Sequence, residues 1–89
     1  MASLPVPGEQ YFRDFAFDAV DYDVERDGAV IASVRGLSNS DHGRPYIHIP
    51  LGSDVRPGDT LVAGASRFNI RTVEIDTYNG EPSLLKALP

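Results

Sequence analysis

The sequence predicts a mainly β protein, a small antiparallel β-barrel or sandwich of about six short strands with a flexible N-terminal arm. Three observations carry that expectation. The run Val55-Arg56-Pro57-Gly58-Asp59-Thr60-Leu61-Val62-Ala63-Gly64-Ala65-Ser66-Arg67-Phe68-Asn69-Ile70 reads as turn, strand, short turn, strand. Val20, Tyr22 and Val24 alternate with Asp21, Asp23 and Glu25, the pattern of a half-buried strand. Turn formers (Asp27-Gly28, Pro57-Gly58, Asn79-Gly80) punctuate the chain between short apolar runs.

In chain order, residues 1–10 carry Pro5, Pro7 and Gly8 among few apolar groups and read as a flexible arm, with residues 11–89 forming one domain. Residues 11–19 are two-valued. Phe12, Phe15, Ala16 and Ala19 fit helical spacing, whereas Phe15, Phe17 and Ala19 fit a strand. We read a strand leading into the sheet, with a short helical turn as the alternative. The aromatics Tyr11, Phe12, Phe15 and Phe17 read as core, an exposed oligomer contact being the other reading. After the strand at 20–25, Asp27-Gly28 turns the chain and residues 29–34 return as a β-branched strand. Residues 36–45, Gly-Leu-Ser-Asn-Ser-Asp-His-Gly-Arg-Pro, are polar and punctuated and read as the longest loop. Residues 46–49 form a short strand ended by Pro50, which cannot donate to a ladder and marks an edge or a strand end. Strands follow at 60–63 and 68–76. In the second, Phe68 and Ile70 share one parity and Val73 and Ile75 the other, so a bulge or bend is expected near Arg71-Thr72. Tyr78-Asn79-Gly80 is a turn, and residues 83–88 close the chain as a last strand.

The chain has 89 residues, so one domain with a modest core is expected, burying roughly 60–65% of its unfolded surface. It has no Cys, which removes disulfides and thiolate metal sites and fits a reducing compartment. Thirteen acidic against eight basic residues give a net charge of −5, which disfavours affinity for bare DNA or RNA. Asp14, Asp18, Asp21, Asp23, Glu25 and Asp27 crowd one stretch and read as a solvated face, or as a surface for a basic partner or a passage that must not grip DNA. No apolar run approaches the ~20 residues of a membrane span, and no basic segment followed by an apolar core opens the chain, so the cytosol is the expected compartment.

Nucleophilic catalysis needs a Ser, Thr or Cys beside an oriented base. Ser38, Ser40, Asp41 and His42 are neighbours in one expected loop, an arrangement that does not point to a triad. Asp41, His42 and His48 lack metal-ligand spacing, and His48 reads as a strand residue facing away from Ile47 and Ile49. The glycines match no phosphate loop. No catalytic residue, cofactor or metal is therefore expected, and the protein reads as a non-enzyme. The candidates are protein contacts: Ser38, Asn39, Asp41, His42 and Arg44 of the loop, with Tyr46 as an aromatic anchor. Arg67 and Arg71, four apart on one expected strand, share a face, either solvated or suited to carboxylates of a neighbouring subunit. Asp59 reads as a turn residue whose carboxylate accepts backbone N–H bonds.

The sequence Arg56-Pro57-Gly58-Asp59-Thr60-Leu61-Val62, then Gly64, Phe68-Asn69-Ile70, Val73, Gly80 and Leu84-Leu85, resembles the C-terminal half of head–tail joining proteins of long-tailed bacteriophages, the lambda-type head-completion family. Asp27-Gly28-Ala29-Val30-Ile31 with Val34 resembles the family's earlier hairpin. The likeness spans residues 20–88, while the family's longer helical N-terminal region is here an arm and an aromatic segment. The resemblance implies a virion structural protein of a phage or prophage. Copies would form a neck ring, meeting a portal or adaptor protein on the head side and a tail-completion protein on the tail side. DNA would pass through the lumen without specific binding, and no membrane is involved. The implied location is the virion neck, with assembly in the host cytoplasm. The alternative is a small intracellular β-barrel binding or interaction module, also non-enzymatic.

Overall fold

A computed structural model describes residues 4–89. A short helix, α1 (Gly8–Asp14), and a 3-10 turn (Ala16–Asp18) precede seven strands: β1 (Val20–Arg26), β2 (Ala29–Asp41), β3 (Arg44–Pro50), β4 (Thr60–Ala63), β5 (Ser66–Asn69), β6 (Thr72–Tyr78) and β7 (Glu81–Leu88). They form one antiparallel sheet in the order β5-β4-β1-β2-β3-β7-β6, curled into a half-barrel. The mainly β, barrel-like class expected from the alternating pattern is the class observed.

The curl follows from two places where the chain changes direction. β2 pairs with β1 up to Gly36 and with β3 from Leu37, so it belongs to both halves of the sheet. Gly36 is the corner: a Cβ there would lie 2.8 Å from Ile47 Cγ2, closer than real Cβ atoms approach, and a tight 3.0 Å from the Tyr22 ring. The second place is the expected bend after Ile70. It is sharp enough to split the expected strand 68–76 in two, which is why there are seven strands. β5 pairs with β4 and β6 with β7, at opposite edges of the sheet. Across this seam Gly58 N–H donates to Ile70 O, Ile70 N–H to Asp59 O and Arg71 N–H to Leu88 O, each at 2.8 Å.

Inside the curl, Tyr22, Val24, Val34, Ile47, Ile49, Val55, Leu61, Ile70 and Ala87 form the core; all but Val55 and Ile70 lie on strands, where period-two alternation points them inward. The opposite face differs between the two halves. On β1, β2 and β5 it carries Asp21, Asp23, Arg35 and Arg67, all exposed. On β2, β3 and β7 it carries Leu37, His48 and Leu84, all buried. Helix α1 provides the cover. Gly8, Tyr11, Phe12 and Phe15 recur at i, i+3, i+4 and i+7, one helical face. Gly8 N–H donates to Ser83 Oγ at 2.7 Å, and a Cβ on Gly8 would collide with the Ser83 carbonyl and with Leu84.

Two sequence expectations are corrected. Residues 11–19 are helical rather than a strand, because the outer face of β3 and β7 needs an apolar cover and the aromatic spacing supplies one. Residues 36–45 are not a loop. They run as paired strand around a two-residue turn, His42-Gly43, whose φ values of 51° and 78° match those of Asp27-Gly28 and Asn79-Gly80. Of the expected arm, residues 1–3 lie outside the described residues, Leu4 N–H donates to Thr77 O at 2.7 Å, and residues 8–10 open α1.

Candidate functional site

The β2–β3 hairpin extends beyond the rest of the sheet. Pairing of β2 with β1 stops at Gly36, and pairing of β3 with β7 starts at Ile47. Residues 38–46 therefore form a two-stranded ribbon, with Ser38 opposite Ile47, Asn39 opposite Tyr46, Ser40 opposite Pro45 and Asp41 opposite Arg44. The turn chemistry explains why a polar segment holds this form. His42 and Gly43 both take positive φ, the twist that matches a right-handed hairpin. His42 Nδ1 lies 3.0 Å from Asp41 Oδ1 at the tip.

The ribbon brings Ser38, Asn39, Asp41, His42 and Arg44 together as exposed side chains. Arg44 has no ion-pair partner among the described residues. Asn39 Nδ2 donates to the Tyr11 hydroxyl at 3.0 Å, tying the ribbon to α1.

Tyr46 behaves differently from a free anchor. It is half-buried, its ring 5.1 Å from that of His48, with Lys86 Nζ 4.4 Å above its centroid. Burial pushes its phenol pKa up, with Asp41 and Asp76 adding to the effect. Tyr11 stands edge-on to His48 at 5.3 Å, and its hydroxyl pKa is also raised by burial, then by Tyr46.

Beneath these rings lies a buried polar pair that the sequence did not reveal. His48 Nε2 is 2.6 Å from Asp76 Oδ2, and both side chains are 6% exposed. His48 does face away from Ile47 and Ile49, but α1 covers that face. A carboxylate only accepts, so an ionised Asp76 takes the proton of His48 Nε2, and the buried Nδ1 has no partner among the described residues. His48 is thus turned toward Asp76 and away from Asp41 and His42, and among the described residues no three His, Asp or Glu side chains converge.

Arg67 and Arg71 are not brought together. The bend after Ile70 places Arg67 on β5 and Arg71 at the seam. Arg67 Nη2 donates to Glu25 Oε1 of the same chain at 2.7 Å, so its carboxylate partner is internal.

Asp59 does accept a backbone bond, from Arg56 N–H at 2.9 Å, and the side chain does more. Arg26 donates to both of its oxygens, Nε to Oδ1 and Nη2 to Oδ2, each at 2.9 Å, and also reaches Asp54 at 3.2 Å. These bonds outweigh the burial of Asp59 and hold its carboxyl below the usual range, while raising the Arg26 pKa. The clamp fixes the segment between β3 and β4 against the end of β1.

Two further surface features lie beside α1. Phe15 is 48% exposed and Phe17 fully exposed. Of the aromatic segment, Tyr11 and Phe12 are half-buried on the outer side of the sheet and Phe15 and Phe17 are exposed, so none of the four rings is in the core. The signal was available: once Gly8, Tyr11, Phe12 and Phe15 define the helical stripe, Phe17 falls outside it. At the start of α1 a groove of about 660 Å³ is lined by Pro7, Phe12, Pro50, Leu51, Pro82 and Leu84. No helix among the described residues is long and apolar enough to cross a membrane.

A comparison of the chain with protein-family models, curated proteins and solved structures finds no match.

Proposed function

We propose that the chain is a virion structural protein of a phage or prophage that joins the DNA-filled head to the tail within the neck ring, acting by binding and not by catalysis. The observation that carries this reading is the ribbon of residues 38–46, polar and exposed up to Pro45, projecting from a half-barrel whose core lies elsewhere. Such an element has little to stabilise in its own fold and much to offer a partner. The resemblance to head–tail joining proteins supports the same reading: of its quoted residues Thr60–Val62 fall on β4, Phe68-Asn69 on β5, Val73 on β6 and Leu84-Leu85 on β7, with Arg56–Asp59, Gly64, Ile70 and Gly80 in the connections. The net charge of −5 suits a wall along which DNA moves without being held.

The test uses capsids that lack this protein, with binding and rescue of tail joining as readouts. Wild-type chain restores joining, whereas the double variant Ser40→Glu with Arg44→Glu, which alters exposed side chains only, keeps its melting temperature and fails. Joining by that variant at the wild-type level would overturn the ribbon's role. Tyr46 is unsuitable here because it packs on His48. A wild-type chain that ignores the capsids would overturn the neck reading and favour a binding module. The groove at the start of α1 is the feature that supports that second reading.

A further inference from the structure

We propose that Phe17 is the anchor of a second docking surface, one that enters an apolar pocket edged with Lys and Arg on a different protein. The inference rests on the neck reading and names the chemistry of one partner in it. Phe17 sits in the 3-10 turn between α1 and β1, and its side chain has no cover among the described residues. A ring held fully in water on an ordered turn, with half-exposed Phe15 two residues before it, is a typical anchor for a partner's pocket. Its chain neighbours set the electrostatics. Asp14 and Asp18 flank it, and Asp23 follows on the outer face of β1, where the neighbouring Asp21 is paired with Arg35.

The same charges argue against a second copy as the occupant. Arg26, Arg35, Arg56 and Arg67 already pair with acids of their own chain, and Lys86 lies over Tyr46. The remaining cations Arg13, Arg44 and Arg71 lie on α1, at the ribbon tip and at the seam, and so offer no basic rim around an apolar site. The groove at the start of α1 is apolar, but its charged lining residue is Glu9, which repels Asp14 and Asp18. A different protein with a basic-edged pocket meets both requirements.

The test compares wild type, Phe17→Ser and Asp14→Asn with Asp18→Asn for binding to capsids lacking this protein, at low and high salt. Phe17→Ser weakens binding roughly ten- to a hundredfold, as expected for losing a fully buried Phe contact. The Asn pair slows association and flattens its salt dependence. Both variants melt with the wild type. Phe17→Ser binding like wild type, beside a wild type that binds, overturns the anchor and leaves the neck reading in place. A wild type that does not bind overturns both. Phe17→Ser that abolishes self-association in sedimentation velocity while binding capsids normally, or that melts several degrees lower, overturns the proposed occupant or the exposed state of the ring.

Discussion

Replacing Gly36 by Ala tests whether the corner in β2 is built on contact distance or on backbone conformation. Gly36 has no positive φ, so an L-residue is conformationally acceptable, and Ala for Gly in a strand gains about 0.4–1 kcal/mol through the unfolded chain. Against that gain stands a methyl 2.8 Å from Ile47 Cγ2 and 3.0–3.1 Å from two Tyr22 ring carbons. Ile47 is 2% and Tyr22 6% exposed, so neither can swing into solvent. Overpacking of this kind costs about 1–3 kcal/mol, so the clash wins and Gly36→Ala is destabilised by roughly 0.5–2 kcal/mol. With m near ~1 kcal/mol/M, the urea midpoint falls by roughly 0.5–2 M at unchanged slope. A double-mutant cycle isolates the cause. Ile47→Ala removes Cγ2 at a cost of about 2–5 kcal/mol, and the methyl introduced by Gly36→Ala then occupies part of the vacated space. The double variant is therefore more stable than the sum of the singles by at least about 0.5 kcal/mol. A Gly36→Ala midpoint at or above wild type, or strict additivity in the cycle, would refute the reasoning.

Two further outcomes follow from the polar pairs. Asp59, whose folded carboxyl titrates below its ordinary 3.8, contributes stability that is complete above that value and is lost as the pH falls through the folded one. Asp59→Asn thus lowers the urea midpoint at pH 7, and the gap to wild type narrows below about pH 4; a gap independent of pH would contradict the ionic role. Asp76→Ala leaves His48 Nε2–H buried without an acceptor, costing about 1–3 kcal/mol, whereas Asp76→Asn retains a carbonyl and recovers most of it. Equal losses in the two variants, read from urea midpoints, would show that the bond itself is not what stabilises the pair.

The strand alternation in Val20, Tyr22 and Val24 and the turns at Asp27-Gly28 and Asn79-Gly80 were legible because period and turn chemistry are local. His42-Gly43 carries the same X-Gly signal but is flanked by polar residues, so the segment looked like loop; the missing cue was that a ribbon projecting into solvent needs no apolar alternation. The change of parity between Ile70 and Val73 located the bend correctly. How far the chain turns there depends on which strands each side meets, and pairing with β4 and β7 is non-local information. The same holds for His48 and Asp76, which lie 28 residues apart in sequence. Helix α1 was one of two readings of the aromatic spacing, decided by an outer face whose Leu37, His48 and Leu84 are brought together only by the folded sheet. Asp59 was legible as a turn residue, but its bidentate partner Arg26 was not, for the same reason of sequence distance.

The corner and the candidate site meet at one residue. β2 leaves β1 at Gly36, and the ribbon of residues 38–46 begins just beyond. The ribbon's base is therefore set by a closely packed point of the sheet, where Gly36 lies against Tyr22 and Ile47, while Asn39 braces its flank through the Tyr11 hydroxyl. A polar ribbon on a flexible base would lose conformational entropy on docking, and a ribbon aimed by a packed corner loses less. This makes direction, as well as composition, a property of the proposed docking element. Gly36→Ala should accordingly weaken capsid binding while leaving every exposed ribbon side chain in place, at a temperature where the variant is still fully folded. Binding that tracks only the ribbon's surface residues and ignores the corner would show that the ribbon finds its partner by flexibility instead.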